Sequence, residues 1–560
     1  MLPDARIPPA SGSLAASRRH PFKQPVDGLI LHEDEHLLAI RKPPGINTHS
    51  AGPFAGEGIY EWLRRREPRW AELAIIQRLD KETSGVLLFS KSRRGNVSLT
   101  KQFSRRRVSK EYEFLTDRPP RESSFTVRSR IRKGRGRFES LGDDSEEGDD
   151  GLEAETVFRV LRQERDGGPW RVQAGPRTGR THQIRIHAAD SGMPILGDAL
   201  YGGTPFARLC LHARALRLRH PATNAELEFI SEPDFDAAPG DLLRASVVDR
   251  AATDAFRIVH GAADRRPGWY VDRLGGFLLA STGEGVADGA VPDWLMALAR
   301  STAARGVAVR RLDRHVRGSV PGSASPRLVS GEAGDGEFEV RENGLRFRLS
   351  FTEGYSCGLF LDQRDNRRRL LTHWIGPGFA VRDAGLAGAE VLNVFAYTCA
   401  FSVAAAAGGA RTTSLDLSRK YLDWGRRNFE ANGLDPAAHD FIFGDAFDWF
   451  RRLAKKGRLF DVVLLDPPTF SQSKEHGVFR AESDYGELVR ASAAVLKPGG
   501  VLFASTNAAR LEPEAFLTMV RGGLMDAGRT VTKELFVPQP PDFPTCREEP
   551  GYLKTVWVRV

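Results

Sequence analysis

One loop carboxylate, one phenol and several guanidinium groups recur in three short stretches of the first third of the chain. They are Gln77-Arg78-Leu79-Asp80-Lys81-Glu82-Thr83-Ser84-Gly85, Lys110-Glu111-Tyr112 and Thr178-Gly179-Arg180-Thr181-His182-Gln183-Ile184-Arg185-Ile186-His187. There is no paired-carboxylate motif and no Ser/His/Asp ordering, so a lone carboxylate points to nucleophilic or acid/base work rather than to a metal. A guanidinium beside such a group favours its charged form, while burial opposes it. Alone, an Asp of this kind is more often a loop or cap residue. Only its companions raise it above that reading.

A second set of carboxylates follows hydrophobic strands in the last third. EVLNVFAYTCAFSVAAAAGG, from Glu390, reads as a strand, a small-residue turn and an Ala-rich helix. Ser414-Leu415-Asp416-Leu417-Ser418 then puts an acid at the end of a second strand, where it can accept both ribose hydroxyls of a nucleoside cofactor. Gly444-Asp445-Ala446 suits adenine recognition, and Asp466-Pro467-Pro468-Thr469-Phe470-Ser471 ends a further apolar strand. Two prolines stiffen that turn and leave its carbonyls free of ladder bonds, so that they and Asp466 can face a planar acceptor. The pattern alone does not separate a dinucleotide from S-adenosylmethionine. The absence of GxGxxG and of a Walker sequence counts against NAD and ATP.

These groups need scaffolds. At 560 residues the chain exceeds the ~250–300 residues at which a single core stops growing, so at least two domains are expected. With 41% hydrophobic and 27% charged residues it falls in the globular range, which excludes a fibrous or wholly disordered chain. No run nears the ~20 apolar residues of a membrane span, and residues 1–22 lack an apolar signal region, so a soluble, cytoplasmic protein is expected. The four cysteines, at 210, 357, 399 and 546, form no CxxC and point to reduced structural thiols. The 81 basic against 72 acidic residues leave +9, an excess compatible with a polyanionic partner. Basic clusters lie at Arg64 to Arg66, Arg105 to Arg107, Arg128 to Arg137 and Arg367 to Arg369, each by itself most simply a solvated face. The stretch IIQRLDKETSGVLLF, from Ile75, places Asp80 on a loop between buried strands. From Glu390 to Ala504, strands alternate with helices as in a parallel sheet.

The expected organisation is a flexible lead over 1–25, a first domain over 26–238 with a surface acidic insertion near 140–152, a small α/β substrate- or RNA-binding domain over 241–350, and a last domain over 351–560. SEPDFDAAPGDLL marks the break before the second unit.

In order along the chain, Lys42-Pro43-Pro44-Gly45, the RLDKETSG loop, KEY, TGRTHQIRIH and Pro194-Ile195-Leu196-Gly197-Asp198 before Tyr201-Gly202 resemble the RluA-type pseudouridine synthase family. Several separated motifs in the right order are specific where one is not. The resemblance covers about residues 30–235. It implies that Asp80 is the nucleophile that breaks the uridine glycosidic bond, and that Tyr112 packs on the base and helps remove the carbon-5 proton. It further implies that Arg185 pairs with the nucleophile, that Arg78 assists base extrusion, and that Lys42, Lys110 and Arg180 contact substrate. No cofactor or metal is implied. An enzyme that rotates a base must first take it out of its stack. Gln77 stands where the family usually has His, which suggests an altered substrate contact. His182 and His187 are expected to hold loops by hydrogen bonds.

The carboxylate series, together with Pro267-Gly268-Trp269-Tyr270-Val271-Asp272-Arg273, Gly358-Leu359-Phe360-Leu361-Asp362-Gln363-Arg364 and Leu496-Lys497-Pro498-Gly499-Gly500, resembles the RlmI/RlmK-type ribosomal RNA methyltransferases over about residues 255–560. That implies S-adenosylmethionine held by Asn393, Phe395, Tyr397, Thr398, Asp416, Leu417, Ser418, Asp445, Ala446 and Asp466. Asp362, Gln363 and Arg364 are candidates at its amino-acid end. Asp466 would also be catalytic, with Pro467, Pro468, Thr469 and Phe470 at the acceptor. Cys399 stands where relatives often have Gly. Carbon 5 of cytosine needs a thiolate added at carbon 6 before it can be methylated. Neither DPPTFS nor Leu502-Phe503-Ala504-Ser505-Thr506-Asn507 has a cysteine, which favours a purine nitrogen over cytosine carbon, and DPPTFS and Ser505-Thr506-Asn507 resemble the branch of the family that methylates guanine N7, a site with its own lone pair.

The fold class expected is α/β and α+β multidomain: a mixed-sheet synthase, a small α/β domain and a Rossmann-like doubly wound domain. The function expected is bifunctional RNA modification, with ribosomal RNA as the partner and no membrane. Two alternatives stand beside it. In one, a single domain is active and the other is an RNA-binding platform; in the other, the chain is a non-catalytic ribosome-assembly factor.

Overall fold

Residues Ser84–Ser90, SGVLLFS, are buried along their whole length, as a continuous apolar run must be when both faces of a strand are covered. In the computed structural model this strand lies inside an 11-stranded mixed sheet. The structure describes residues 28–56, 58–141, 151–283, 285–287, 289, 291–312, 325–332, 336–353, 356–473 and 477–560. The expected lead over 1–25 and most of the acidic insertion lie outside the described residues.

The main path of the sheet runs Ile30–Glu33, Leu37–Lys42, Ser84–Ser90, Leu211–Arg219, Ser109–Thr116, Trp170–Pro176, Leu152–Gln163, Ser124–Lys133 and Phe138–Leu141. Ser84–Ser90 pairs in parallel with Leu211–Arg219 through Ser84 and Gly85, opposite His212 and Ala213. Gly85 has φ 117°, and a Cβ there would stand 2.2 Å from the Ala213 carbonyl oxygen, so only glycine lets the two backbones close. Asp80 sits on the turn that feeds this strand.

A five-stranded sheet follows, in the order Ala255–His260, Trp269–Leu274, Phe277–Thr282, Gly306–Arg311 and Arg327–Gly331. The last sheet has seven strands. They are β1 (Glu390–Val394), β2 (Arg411–Asp416), β3 (Asp440–Phe443), β4 (Phe460–Leu465), β5 (Leu496–Thr506), β6 (Lys533–Val537) and β7 (Lys554–Arg559), in the spatial order β3-β2-β1-β4-β5-β7-β6. The first five are parallel, and β7 joins antiparallel between β5 and β6. The order reverses at β1, and ligands of open α/β sheets bind outside the strand ends at such a switch point. The helix after β1, Ala400–Ala407, is buried on every side, which suits its Ala content.

The sheets share cores. One apolar cluster joins Leu38, Ile40, Trp62 and Trp70 of the first sheet's surroundings to Val259, Trp269, Leu278 and Val307 of the second. Another joins Phe277 and Val340 to Leu370, Val391 and Trp557 of the third. Two helices meet where the first and third parts touch: α1 (Ile59–Arg66) and α2 (Arg364–Thr372).

That junction corrects one expectation. Arg367, Arg368 and Arg369 are 3, 8 and 4% exposed, so this cluster is not a solvated face. Arg367 pairs in a fork with Glu342 at 2.6 Å, Arg368 donates to Glu67 and to the Arg66 carbonyl, and Arg369 to the Ile375 carbonyl. Each guanidinium is paired, as buried charge requires. Among the described residues, no helix is long and apolar enough to cross a membrane.

Candidate active sites

The first site is a cavity of about 960 Å3 lined by Arg78, Asp80, Lys110, Tyr112, Arg180 and Arg185, with Gln77, Thr83, Arg106, Arg177 and His182. The Asp80 loop is clamped from beneath, because Thr48 Oγ1 donates to the Leu79 carbonyl and accepts from the Leu79 N–H. Arg185 lies on the helix Gln183–Asp190, and its Nε and Nη2 donate to both oxygens of buried Asp198 at 2.7 Å. Its Nη1 remains 3.6 Å from Asp80 Oδ2. The Arg185 guanidinium also lies 5.0 Å from the centre of the Tyr201 ring.

Tyr112 is half-buried on Ser109–Thr116. Burial, then the neighbouring Asp80, pushes its phenol well above the ordinary value, so it is neutral at physiological pH. Lys110 donates to the Thr178 carbonyl, and burial followed by Arg180 lowers its ammonium. The Tyr201 hydroxyl donates to the Phe138 carbonyl and therefore accepts from His182 Nδ1, 2.9 Å away. Burial lowers the His182 pKa despite Asp80. His187 bridges Thr156 and Ser129, and burial pushes it down to about 4. The Gln77 amide donates to the Val86 carbonyl.

Lys42, expected at the substrate, is not on the cavity wall. It is fully buried, and its ammonium donates to the carbonyls of Pro43, Ile46 and Lys81. Three acceptors use all three protons, so it ties the Asp80 loop to the strand before it and has nothing left for RNA. Burial, opposed by Glu82 and Asp80, lowers it to about 7. Arg106, Arg177 and Thr83, to which the sequence assigns no site role, also line the cavity: Thr83 lies in the Asp80 motif, Arg177 directly precedes TGRTHQIRIH, and the fold brings in Arg106 from its basic cluster.

The second site is a cavity of about 210 Å3 beyond the ends of β1 and β2, lined by Phe395, Asp416, Leu417, Asp445 and Ala446 together with Phe447, Ser471, Phe479, Asp484 and Glu487. Asp416 Oδ2 accepts from Tyr397 N–H and Oδ1 from Ser418 N–H, both at 2.8 Å. Each carboxylate oxygen keeps a lone pair for a ribose hydroxyl. Asp445 Oδ1 caps the helix Ala446–Lys455 by accepting from Phe447 and Asp448 N–H. Phe395, Tyr397 and Cys399 have φ of 58, 47 and 61°, a strained left-handed series at the turn.

Asn393, Tyr397, Thr398, Ser418 and Asp466 do not line this cavity. Asn393 donates to Ser402, Tyr397 Oη to the Ser356 carbonyl and Thr398 to the Gly358 carbonyl, so these side chains brace the turn. Ser418 Oγ accepts from Tyr421 N–H. Cys399 is buried, which pushes its thiol up to about 12, and its Sγ would stand 2.3 Å from a Cβ on Gly425. Ser471 closes the DPPTFS motif, while Phe479, Asp484 and Glu487 carry no motif. The antiparallel pair Phe470–Ser473 and Gly477–Arg480 and the helix after it bring them in.

Asp466 lies at the end of β4. The Gln363 amide donates to both of its oxygens at 3.3 Å and to Ser505 Oγ at 2.7 Å. Burial pushes the Asp466 carboxyl up to about 6; Asp362 adds to the shift, and hydrogen bonds from Ser505 and Gln363 oppose it. Asp362 accepts from Tyr552 Oη. Arg364, expected at the cofactor's end, is instead locked to Asp542 at 2.7 and 2.8 Å. Pro467 is buried and Pro468 exposed, Thr469 donates to Asn507, and the Phe470 ring lies under Arg480.

The donor set tests the cofactor. Among the described residues, four carboxylates and no Lys or Arg line the second cavity, so it repels a polyphosphate and accepts a nucleoside sulfonium. The residues fit S-adenosylmethionine.

The S-adenosylmethionine-dependent methyltransferase family matches residues 295–558, and the RNA pseudouridylate synthase family matches residues 36–190. The chain is 31% identical over 422 residues to a ribosomal RNA large subunit methyltransferase of Deinococcus radiodurans, covering 71% of this chain and 94% of that one. It is also 31% identical over 328 residues to ribosomal RNA large subunit methyltransferase I of Klebsiella pneumoniae, covering 57% and 76%. The solved human RNA pseudouridylate synthase domain containing 1 aligns at 27% identity and a TM-score of 0.32, over 38% of this chain and 85% of that one. The chain therefore belongs to the S-adenosylmethionine-dependent methyltransferase family that includes the large-subunit ribosomal RNA methyltransferases, and it carries an RNA pseudouridylate synthase domain ahead of its methyltransferase domain.

Proposed function

We propose that the protein isomerises a uridine and methylates guanine N7 in large-subunit ribosomal RNA, in the cytoplasm, through two separate sites. The observation that carries this reading is the opposite charge of the two cavities. The one at Asp80 is lined by Arg78, Arg106, Lys110, Arg177, Arg180 and Arg185, and the one at Asp416 by carboxylates. The first draws in a polyanion. The second, a small cofactor cavity, turns away a polyphosphate and suits a cationic nucleoside.

In the synthase site, the Asp80 carboxylate displaces uracil from the ribose carbon. The freed base turns and its carbon 5 attacks the ribose carbon, which breaks the ester to Asp80 and returns the free carboxylate; carbon 5 then gives up its proton as ring nitrogen 1 gains one. Arg185, held rigid by Asp198, orients Asp80 without saturating it, because its nearest nitrogen is 3.6 Å away. The neutral Tyr112 offers a ring face to the base and relays the proton. Arg78, exposed at the mouth of the cavity, contacts the displaced strand.

In the methyltransferase site, Asp416 holds the ribose hydroxyls, and Asp445 with Ala446 the adenine. Bound S-adenosylmethionine supplies an electrophilic methyl group. Asp466 and the Pro467-Pro468 turn orient the acceptor, with Thr469 and Phe470 beside it. A purine ring nitrogen needs positioning and no covalent activation. The lack of cysteine over 466–471 and 502–507 supports N7 over cytosine carbon 5. The similarity to ribosomal RNA large subunit methyltransferases supports ribosomal RNA as the substrate.

The test is nucleoside chromatography with mass spectrometry on unmodified large-subunit ribosomal RNA, with and without S-adenosylmethionine. Pseudouridine is expected without cofactor and lost in Asp80→Ala alone; 7-methylguanosine is expected only with cofactor and lost in Asp466→Ala alone. Methylcytosine would overturn the N7 assignment, and absence of both products would overturn the whole reading.

A further inference from the structure

Helix α1 belongs to the synthase part, yet its two ends serve different sites. At its start, Ile59 N–H donates to the Asn47 carbonyl and Tyr60 N–H to that of Thr48, the residue whose hydroxyl clamps the Asp80 loop. Toward its end, Trp62, 2% exposed, donates its Nε1–H to Asp365 Oδ2 at 3.2 Å. Glu67, just past the helix, accepts from Arg368 at 2.7 Å, and the Arg66 carbonyl accepts from the same guanidinium at 2.6 Å. The Arg64 carbonyl accepts from Trp374. Asp365 and Arg368 lie on α2, one turn apart and on one face.

The residue just before α2, its N-cap, is Gln363, whose amide donates to Asp466 and Ser505. Its carbonyl oxygen accepts from Asn366 in the first turn of α2, so the helix and the Gln363 side chain are fixed together. Asp365 needs an outside donor. Burial opposes its ionisation, while Arg364, Arg369, Arg66 and Arg368 hold its carboxyl below the ordinary value, and Arg364 Nε and Trp62 Nε1 donate to it. The Arg66 guanidinium stacks on the Trp62 ring at 4.9 Å and fixes the indole's plane. Without the indole N–H, Asp365 would be drawn toward the surrounding guanidiniums, and the first turn of α2 would turn with it.

We propose that Trp62, in the synthase domain, is a positioning residue for methyl transfer, acting through Asp365 and α2 on Gln363 and thereby on Asp466. The synthase domain is then a working part of the methyltransferase site, whether or not its own cavity is occupied. This rests on the reading of Asp466 as the carboxylate at the acceptor.

The experiment uses the full chain carrying Trp62→Phe, which keeps a buried aromatic ring while removing the donor N–H and part of the indole's volume. Methyl transfer and pseudouridine formation are measured separately on ribosomal RNA, with the stoichiometry and affinity of S-adenosylmethionine binding read by calorimetry. The expected result is an about tenfold fall in kcat for methyl transfer, a displacement effect on oriented groups. The cofactor's KM, its stoichiometry and the rate of pseudouridine formation stay within about twofold, where loss of folded protein would lower the stoichiometry. In a Gln363→Asn background, where the amide is withdrawn from Asp466, Trp62→Phe adds nothing further. Ser505→Ala gives the same background if Gln363→Asn is inactive. An unchanged kcat, a fall shared equally by both reactions, or multiplicative effects of Trp62→Phe and the second substitution would overturn the inference. If the unaltered chain makes no methylated nucleoside, the reading of the Asp466 site falls first and the inference with it.

Discussion

Arg185 stands with its Nη1 3.6 Å from the Oδ2 of Asp80. The gap is longer than a hydrogen bond, while the same guanidinium makes two bonds of 2.7 Å to Asp198. Asp198 fixes the arginine, and Asp80 keeps lone pairs for the ribose carbon. Asp198→Asn is expected to let the fork swing onto Asp80, lowering kcat for pseudouridine formation ~100-fold with a smaller change in RNA affinity. Single-turnover assays on a uridine-containing fragment check it. An unchanged rate would show that the Arg185 geometry does not matter.

Lys42 carries a structural prediction. Lys42→Met leaves three buried carbonyls without their donor, a cost of about 2–5 kcal/mol. The first thermal transition should fall and pseudouridine formation with it, while RNA binding to the outer cavity wall changes less. Scanning calorimetry beside filter binding separates the two.

The pH dependence of methyl transfer follows from Asp466. Its folded value of about 6 lies above the ordinary 3.8, so between those values the folded chain holds a proton that the unfolded chain has released. Ionising Asp466 therefore costs folding stability as pH rises through this window, and the cost persists above it. Activity that needs the carboxylate rises through pH of about 6 and levels above it. The residual activity of Asp466→Asn should lose this inflection, as a pH–kcat profile would show.

Asp416 accepts two backbone N–H groups and still offers a lone pair on each oxygen. Asp416→Asn places an NH2 where one of those donors points. Cofactor affinity should drop ~10–100-fold, with pseudouridine formation untouched. Calorimetric titration of S-adenosylmethionine measures it.

Arg106 and Arg177 line the cavity, and the proposed function has them pair with RNA phosphates. Replacing either with Ala should reduce the slope of log binding constant against log salt by ~0.7, the single-strand value per phosphate, without changing which uridine is modified. Filter binding over a salt series reads the slope, and sequencing of the product reads the site.

The sequence alone determined both chemistries, because each rests on short contiguous motifs. RLDKETSG places Asp80 on a turn between buried strands, and DPPTFS ends a strand whose apolar run is legible by eye. Local chain direction suffices to put such residues at strand ends. Tertiary structure decided what those motifs lean on. The family resemblance puts Lys42 at the substrate, yet it is spent on three carbonyls. Arg367 to Arg369 read as a solvated cluster, yet their partners are Glu342, Glu67 and backbone carbonyls, more than 300 positions away in the case of Glu67 and Arg368. Arg106, Phe479 and Glu487 reach their cavities from elements that no spacing links to the motifs there. Burial and pairing are properties of chain segments brought together, so a one-dimensional pattern records which charges exist but not which of them face water.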